Sequence, residues 1–312
     1  MSIESSNFSR QIYIPTHTNE RRILMNGISV VVPCHNEERS IKEVLTSISD
    51  VCQKLKIPFE IVVVNDGSTD HTADLLREFE DQLTILRRSV CLGYGASIKT
   101  GVLKANYDNI LIIDADGTYQ ADDIPKLVAT FLNGRFDMVV GARIKSQKNI
   151  PWLRKPAKWF INSLANYLSG RKIPDLNSGL RIMKKEIFIK FISMLPDGFS
   201  LTTTITLAML TNNYAVEYLP IEYRKRIGKS KIRPLQDTSN FVLLVLRTVM
   251  YFNPLKIFLQ MSLLMFFAGF ILLGLRLFFG KMLISTTITI FVGAFTVLSL
   301  GLLADLIVKR IR

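Results

Sequence analysis

Residues 110–120 read ILIIDADGTYQ: four apolar residues, two carboxylates separated by one alanine, then a glycine. An unbroken apolar run of this length fits a strand buried on both faces. The polar, glycine-bearing exit marks where the chain leaves the sheet. The same grammar recurs on either side. Ile28–Val32 (ISVVV) runs into PCHNEE (33–38), and Phe59–Val64 (FEIVVV) runs into NDGSTD (65–70). Leu83–Leu86 and Met138–Val140 are shorter runs of the same kind, and helical spacing fills Glu38–Leu55, Thr72–Glu80, Ala96–Ala105 and Asp122–Asn133. Strands alternating with helices predict an α/β domain with a mostly parallel sheet covered on both faces. Such sheets bind ligands at the carboxyl ends of their strands. Those ends here carry PCHNEE, NDGSTD and DADGTYQ.

The rest of the chain departs from this pattern. Of its 312 residues 48% are hydrophobic, but from Phe241 onward nearly all are. Residues 257–279 hold one charge, Arg276. At 1.5 Å per residue they reach roughly 34 Å, enough for a bilayer core of about 30 Å. Residues 283–308 form a second span, followed by Lys309, Arg310 and Arg312, and the link around Gly280-Lys281 makes the pair a hairpin. A soluble core able to bury such a hairpin exceeds what this chain supplies. Between Arg143 and Arg233 there are 18 Lys and Arg against 5 Asp and Glu, which accounts for the whole net charge of +13. Beside membrane spans, that excess points to an anionic lipid face rather than to nucleic acid. Both termini are expected in the cytoplasm. Residues 1–26 read as a loose arm, 27–235 as the catalytic domain, 236–255 as a juxtamembrane helix and 256–312 as the hairpin. Residues 151–170, with Trp152, Trp159 and several cations, suit an interfacial helix or equally a surface helix. Cys34, Cys52 and Cys91 lack paired spacing and read as reduced thiols, and no signal peptide is visible.

Asp114 and Asp116 are the candidate metal ligands. Carboxylates at i and i+2 on an extended turn can face one hard cation, and Mg²⁺ binds through one or two carboxylates plus substrate phosphates. Thr118 and Gln120 are weaker candidates. Asp66 can accept the N3–H of a uracil ring, while Ser68 or Thr69 caps the next helix. Asn36 or Glu37 either caps a helix or touches a nucleotide. Gly93 and Gly95 precede a helix and suit close backbone approach to a donor. PDLNSGLR (174–181) offers Asp175, Ser178 and Arg181, and RIGKSKIRP (226–234) offers Arg226, Lys229 and Lys231; both suit a phosphate. The three histidines show no ligand spacing.

Together PCHNEE, DGSTD, GYGASIKTG, DADGTYQ, GAR (141–143), DLNSGLR, FSLTTTITLAML (199–210) and RIGKSKIRP resemble glycosyltransferase family 2, of A-type, Rossmann-like fold. More narrowly they resemble its polyprenyl-phosphate branch, the dolichol-phosphate mannose synthases and bactoprenol-phosphate glucosyltransferases. The resemblance covers about residues 26–312. It implies inverting transfer from a nucleotide-sugar, UDP-glucose first, to polyprenyl phosphate at the inner membrane, with Mg²⁺ or Mn²⁺ on Asp114 and Asp116. A homo-oligomer is also expected. The donor would meet Pro33, Asn36, Glu37, Asp66, Gly93, Lys99, Asp114, Ala115 and Asp116. Arg143, Ser178, Arg226, Lys229 and Lys231 would hold the acceptor phosphate, with Asp116, Asp175 and Arg226 nearest the reaction. The mannose synthases carry glutamine where Thr118 stands, which leaves the third metal ligand open. The QxxRW signature of processive members is absent. Another lipid acceptor, or a non-catalytic nucleotide-sugar-binding role, is the alternative.

Overall fold

The computed structural model describes residues 27–143, 163, 166–167, 170–224, 250, 254–279 and 284–311. The expected N-terminal arm, the basic stretch at 226–234 and nearly all of the 151–170 and 236–255 helices lie outside them.

Seven strands form one sheet in the order β3-β2-β1-β4-β6-β5-β7. They are β1 (Ile28–Cys34), β2 (Phe59–Asp66), β3 (Thr84–Arg88), β4 (Asn109–Ile112), β5 (Met138–Ala142), β6 (Arg181–Lys184) and β7 (Val216–Pro220). Six run parallel. Only β6, wedged between β4 and β5, is antiparallel to its neighbours. The sequence reading found the first five strands and missed β6 and β7. RIMK is four residues with a cation at each end, and VEYLP is a half-buried edge, so neither shows an apolar run.

Alternation along the strands builds a core on each face. Val30, Val32, Leu111 and Ile113 point to one side, where α1 (Ile41–Lys54) and α4 (Ile124–Leu132) pack. Val31, Ile110 and Ile112 point to the other, against α3 (Tyr94–Lys104), α5 (Lys185–Phe191) and α6 (Leu201–Thr211). The short α2 (Thr72–Arg77) follows β2. In α1 the buried positions Ile41, Val44, Leu45, Ile48, Val51 and Cys52 recur at helical spacing. Each full burial of such a side chain contributes roughly 1.5–3 kcal/mol. Cys34 and Cys52 are free and buried, and burial pushes both thiols up to about 12.

Two long apolar helices follow, α7 (Pro254–Phe279) and α8 (Ile284–Ile311), both long and apolar enough to cross a membrane. They pack antiparallel. Phe266 meets Phe295 edge-on at 5.0 Å, and Phe258 lies where Gly301 leaves room: a Cβ there would stand 2.4 Å from it. Lys256, at the start of α7, donates to the Tyr167 carbonyl and sits 4.7 Å over its ring. That contact ties the hairpin to the chain preceding β6.

Candidate active site

Asp114 leaves the sheet just after β4, where the Ile113 amide still donates to the Val31 carbonyl at 3.2 Å. Asp116 folds back on its own turn: its Oδ1 accepts from the Thr118 amide at 3.1 Å and the Thr118 hydroxyl at 2.6 Å. Thr118 is fully buried behind Asp116, so it braces that carboxylate rather than opening toward a ligand. The Tyr94 hydroxyl donates to Asp114 Oδ1 at 2.7 Å. Burial, then the neighbouring charge of Asp116, push the Asp114 carboxyl up to about 6, against the opposing pull of Tyr94, Arg143 and Arg181. Two crowded carboxylates at the mouth of an apolar sheet suit a divalent cation, which would relieve that repulsion. Among the described residues no third His, Cys, Asp or Glu completes a ligand cluster. The remaining ligands would therefore be substrate phosphates or water, as is common for Mg²⁺.

The opposite wall is the loop entering β6. Gly179 lies against Asp114, and a Cβ there would stand 2.4 Å from Asp114 Oδ2, so no larger residue fits. The Gly179 amide donates to the Tyr119 hydroxyl at 2.7 Å, and the Ser178 hydroxyl donates to the Gly141 carbonyl. Asp175 holds Arg143 in a two-pronged pair, and the guanidinium lies 5.1 Å over the Tyr223 ring. Burial alone would raise the Asp175 carboxyl, but Arg143 outweighs it and holds the group below its usual range. Arg181 is fully buried, and burial draws its pKa down. Its fork donates to the Ser178 and Thr202 carbonyls and to the Thr206 hydroxyl. The loop is thereby tied to α6.

Asp66 sits 3% exposed with its oxygens already committed. It accepts from Arg88 at 3.0 Å, the Leu92 amide at 3.1 Å, the Gly93 amide at 2.7 Å and the Cys91 thiol. Burial would raise it, yet these donors hold it below the normal carboxylate range. In this arrangement it staples the glycine loop. Asn36, with φ of 56°, accepts the Thr69 amide at 2.7 Å, and the Glu37 amide donates to Thr72 at 2.9 Å. These contacts knit the β1 exit to the β2 exit. Asp70, rather than Ser68 or Thr69, accepts the Thr72 amide at the start of α2. Lys99 pairs with Asp197 at 2.8 Å. Pro33 is buried within β1. The Ala115 carbonyl accepts from Ser40 at 2.8 Å. Asp114, Asp116, Ser178, Asp175 and Arg143 are thus brought together, while Arg226, Lys229 and Lys231 lie outside the described residues. Sequence reasoning overlooked Tyr94, Tyr119 and Tyr223, whose contacts all join distant segments; a tyrosine set between two glycines and another inside DADGTYQ were the available signals.

Residues 29–192, more than half the chain, match the family model Glycosyl transferase family 2. The chain belongs to glycosyltransferase family 2. Residues 253–309 of this glycosyltransferase match a second model, the GtrB C-terminal hairpin. It is 31% identical over 269 residues to the undecaprenyl-phosphate 4-deoxy-4-formamido-L-arabinose transferase of Proteus mirabilis, covering 82% of this chain and 78% of the relative. It is 29% identical over 210 residues to a dolichyl-phosphate hexose transferase of Haloferax volcanii, covering 67% and 88%. These likenesses put it in the polyprenyl-phosphate branch of the family. Among solved structures it resembles glucosyl-3-phosphoglycerate synthase from Mycobacterium tuberculosis in complex with Mn²⁺, UDP-glucose and phosphoglyceric acid. The TM-score is 0.57 at 19% identity, over 72% of this chain and 79% of the other. At that identity the likeness speaks for the fold.

Proposed function

We propose that this glycosyltransferase moves one sugar from a nucleotide-sugar, UDP-glucose first, to a polyprenyl phosphate at the cytoplasmic face of the inner membrane. The observation that carries the reading is the close approach of Asp114, and with it Asp116, to the loop bearing Asp175, Ser178 and Gly179, with Arg143 fixed beside it. The acidic side suits a cation and a diphosphate, and the cationic side suits a phosphate acceptor. The named relatives support a polyprenyl phosphate acceptor, and the paired carboxylates of Asp114 and Asp116 support a divalent metal.

Asp114 and Asp116 are the residues that would hold Mg²⁺ or Mn²⁺. When bound, the ion supplies charge neutralisation for the departing nucleoside diphosphate. The chain's own part is positioning. A phosphate monoester with its second pKa near 6 is largely a dianion at neutral pH and needs no strong base to become a nucleophile. Arg143, pre-oriented by Asp175 and Tyr223, would grip that phosphate, and Ser178 would line its seat. Arg226, Lys229 and Lys231 would add cationic containment. In-line placement of two bound reactants supplies much of the rate. The domain plan follows: residues 27–235 catalytic, residues 256–312 the anchor, and both termini cytoplasmic.

Purified full-length protein with Mn²⁺, undecaprenyl phosphate and labelled nucleotide-sugars is expected to give a lipid-linked monosaccharide, most from UDP-glucose. Asp116→Asn is expected to abolish it. Turnover only with a neutral lipid hydroxyl as acceptor, or full activity in Asp116→Asn, would overturn the reading.

A further inference from the structure

We propose that Tyr94 is a positioning residue that sets the Asp114 carboxylate for its cation, and that Phe199 holds Tyr94 in place; the inference rests on the metal reading above. Tyr94 opens α3, and its backbone is fixed from below. The amides of Leu92 and Gly93 both donate to the buried Asp66. Arg88 grips Asp66 at 3.0 Å and also donates to the Ala96 carbonyl at 2.9 Å, within the first turn of α3. That turn is therefore anchored to the ends of β2 and β3.

A second segment holds the same turn from the opposite side. The Ala96 amide donates to the Asp197 carbonyl at 3.0 Å, and Lys99 pairs with the Asp197 carboxylate at 2.8 Å. The approach is so close that a Cβ on Gly95 would stand 2.2 Å from the Pro196 carbonyl oxygen. From this segment Phe199 lays its ring on that of Tyr94, with centroids 5.5 Å apart and planes within 19°. Phe199 is itself 64% exposed. A large ring left that open adds little to a core, whereas stacking restrains the partner ring.

What the restraint delivers is one hydrogen bond. Tyr94 donates to Asp114 Oδ1 at 2.7 Å, the one hydrogen bond to the Asp114 side chain among the described residues. A carboxylate held by one oxygen has lost rotation about its last bond, and its other oxygen is then fixed in direction. Groups that orient a metal-binding carboxylate from behind typically change metal affinity 10- to 100-fold when removed. The segment bearing Phe199 continues into α6, where the Thr203 hydroxyl donates to Asn177 in the loop that carries Asp175 and Ser178. The segment running from Pro196 to Thr203 therefore touches the metal side through Tyr94 and the acceptor side through Asn177.

The competing view makes Tyr94 a packing residue only. Tyr94→Phe separates the two, since it keeps the ring and the stack and removes only the donor. Mn²⁺ binding to the full-length protein in nanodiscs is measured by the electron paramagnetic resonance signal of the free ion, with Asp116→Asn in parallel. Tyr94→Phe is expected to weaken Mn²⁺ binding about 10- to 100-fold. Its kcat at saturating Mn²⁺ is expected to stay near wild type while the Mn²⁺ requirement rises. Phe199→Ala, an exposed change, is expected to weaken binding in the same direction by less. Mn²⁺ affinity of Tyr94→Phe within twofold of wild type, with binding lost in Asp116→Asn, would overturn the role of Tyr94 alone. Binding retained in Asp116→Asn would remove the metal reading and this inference with it.

Discussion

Arg143 and Asp175 face each other in a two-pronged pair, Nε to Oδ2 at 2.7 Å and Nη2 to Oδ1 at 2.9 Å, and the Arg143 amide also donates to the same carboxylate at 3.1 Å. Asp175 is 8% exposed. The pair joins the end of β5 to the loop entering β6, across 32 residues of chain. Its geometry leaves the guanidinium plane no freedom, which is what a phosphate-gripping arginine requires.

Removing the carboxylate should therefore loosen Arg143 without removing its charge. Asp175→Asn is expected to raise the KM for the lipid phosphate about tenfold, about 1.4 kcal/mol, with a smaller change in the KM for the nucleotide-sugar. Arg143→Lys should behave similarly, because an ammonium cannot make the fork. Steady-state kinetics with each substrate varied in turn checks both.

The same pair gives a pH signature. The folded Asp175 carboxyl is held below its usual value, so its stabilisation is fully present above about pH 4 and is lost as pH falls through the lowered folded value. Breaking a buried pair by removing one partner costs on the order of 3–5 kcal/mol. Thermal melts should show Asp175→Asn well below wild type at neutral pH, with the two curves converging in strong acid. A gap that stays constant down to pH 2 would contradict the ion pair.

Asp114 runs the other way. Its carboxyl is pushed up to about 6, so in metal-free protein the folded state holds the extra proton between about pH 4 and 6 and stability falls as pH rises through that window. Asp114→Asn, which keeps an acceptor for Tyr94, is expected to stabilise the metal-free protein at pH 7.5 by about 1–2 kcal/mol. It should also abolish Mn²⁺ binding. Scanning calorimetry with and without Mn²⁺ reads both effects at once.

Gly179 and Arg181 stand at the end of the loop where it enters β6. Gly179→Ala would drive a methyl into Asp114; overpacking of this kind costs about 1–3 kcal/mol, and loss of most activity is expected alongside it. Arg181→Met would leave the Ser178 carbonyl without its Arg181 donor, while the Thr202 carbonyl keeps the Thr206 hydroxyl. Each buried unsatisfied group costs about 1–3 kcal/mol, so the melting temperature should fall by several degrees and the acceptor KM should rise. A wild-type acceptor KM in a folded Arg181→Met protein would sever this arginine from the site.

Much of this architecture could be read directly from local pattern. β1, β2 and β4 are built around the apolar runs 30–32, 61–64 and 110–112, where both their faces are buried, and the acidic exit at 114–116 follows the last of them. The hairpin is visible from length and hydropathy alone. β6 was not visible, because half of its four residues are charged and one of them, Arg181, is buried whole by partners 21 and 25 residues away. Asp66 illustrates the same limit. Its sequence context reads as an open turn acid, but its donors come from residues 22 to 27 positions later. Tyr94 and Tyr119 stand in noticeable local contexts, GYG and DADGTYQ, and Tyr223 in none, but what each does depends on a contact that only the tertiary fold creates.

The acidic turn is closed by the segment leaving β7: Tyr119 bridges to Tyr223, and the Arg224 amide donates to the Thr118 carbonyl at 2.9 Å. During synthesis that turn has no counterpart until some hundred further residues have been added. The apolar helix at Pro254 then follows only thirty positions on, roughly two to six seconds of translation at 5–20 residues per second. Completion of the sugar-handling half and arrival of the first apolar helix therefore fall within one brief interval. The cell gains almost no time in which a finished catalytic unit drifts free of its anchor.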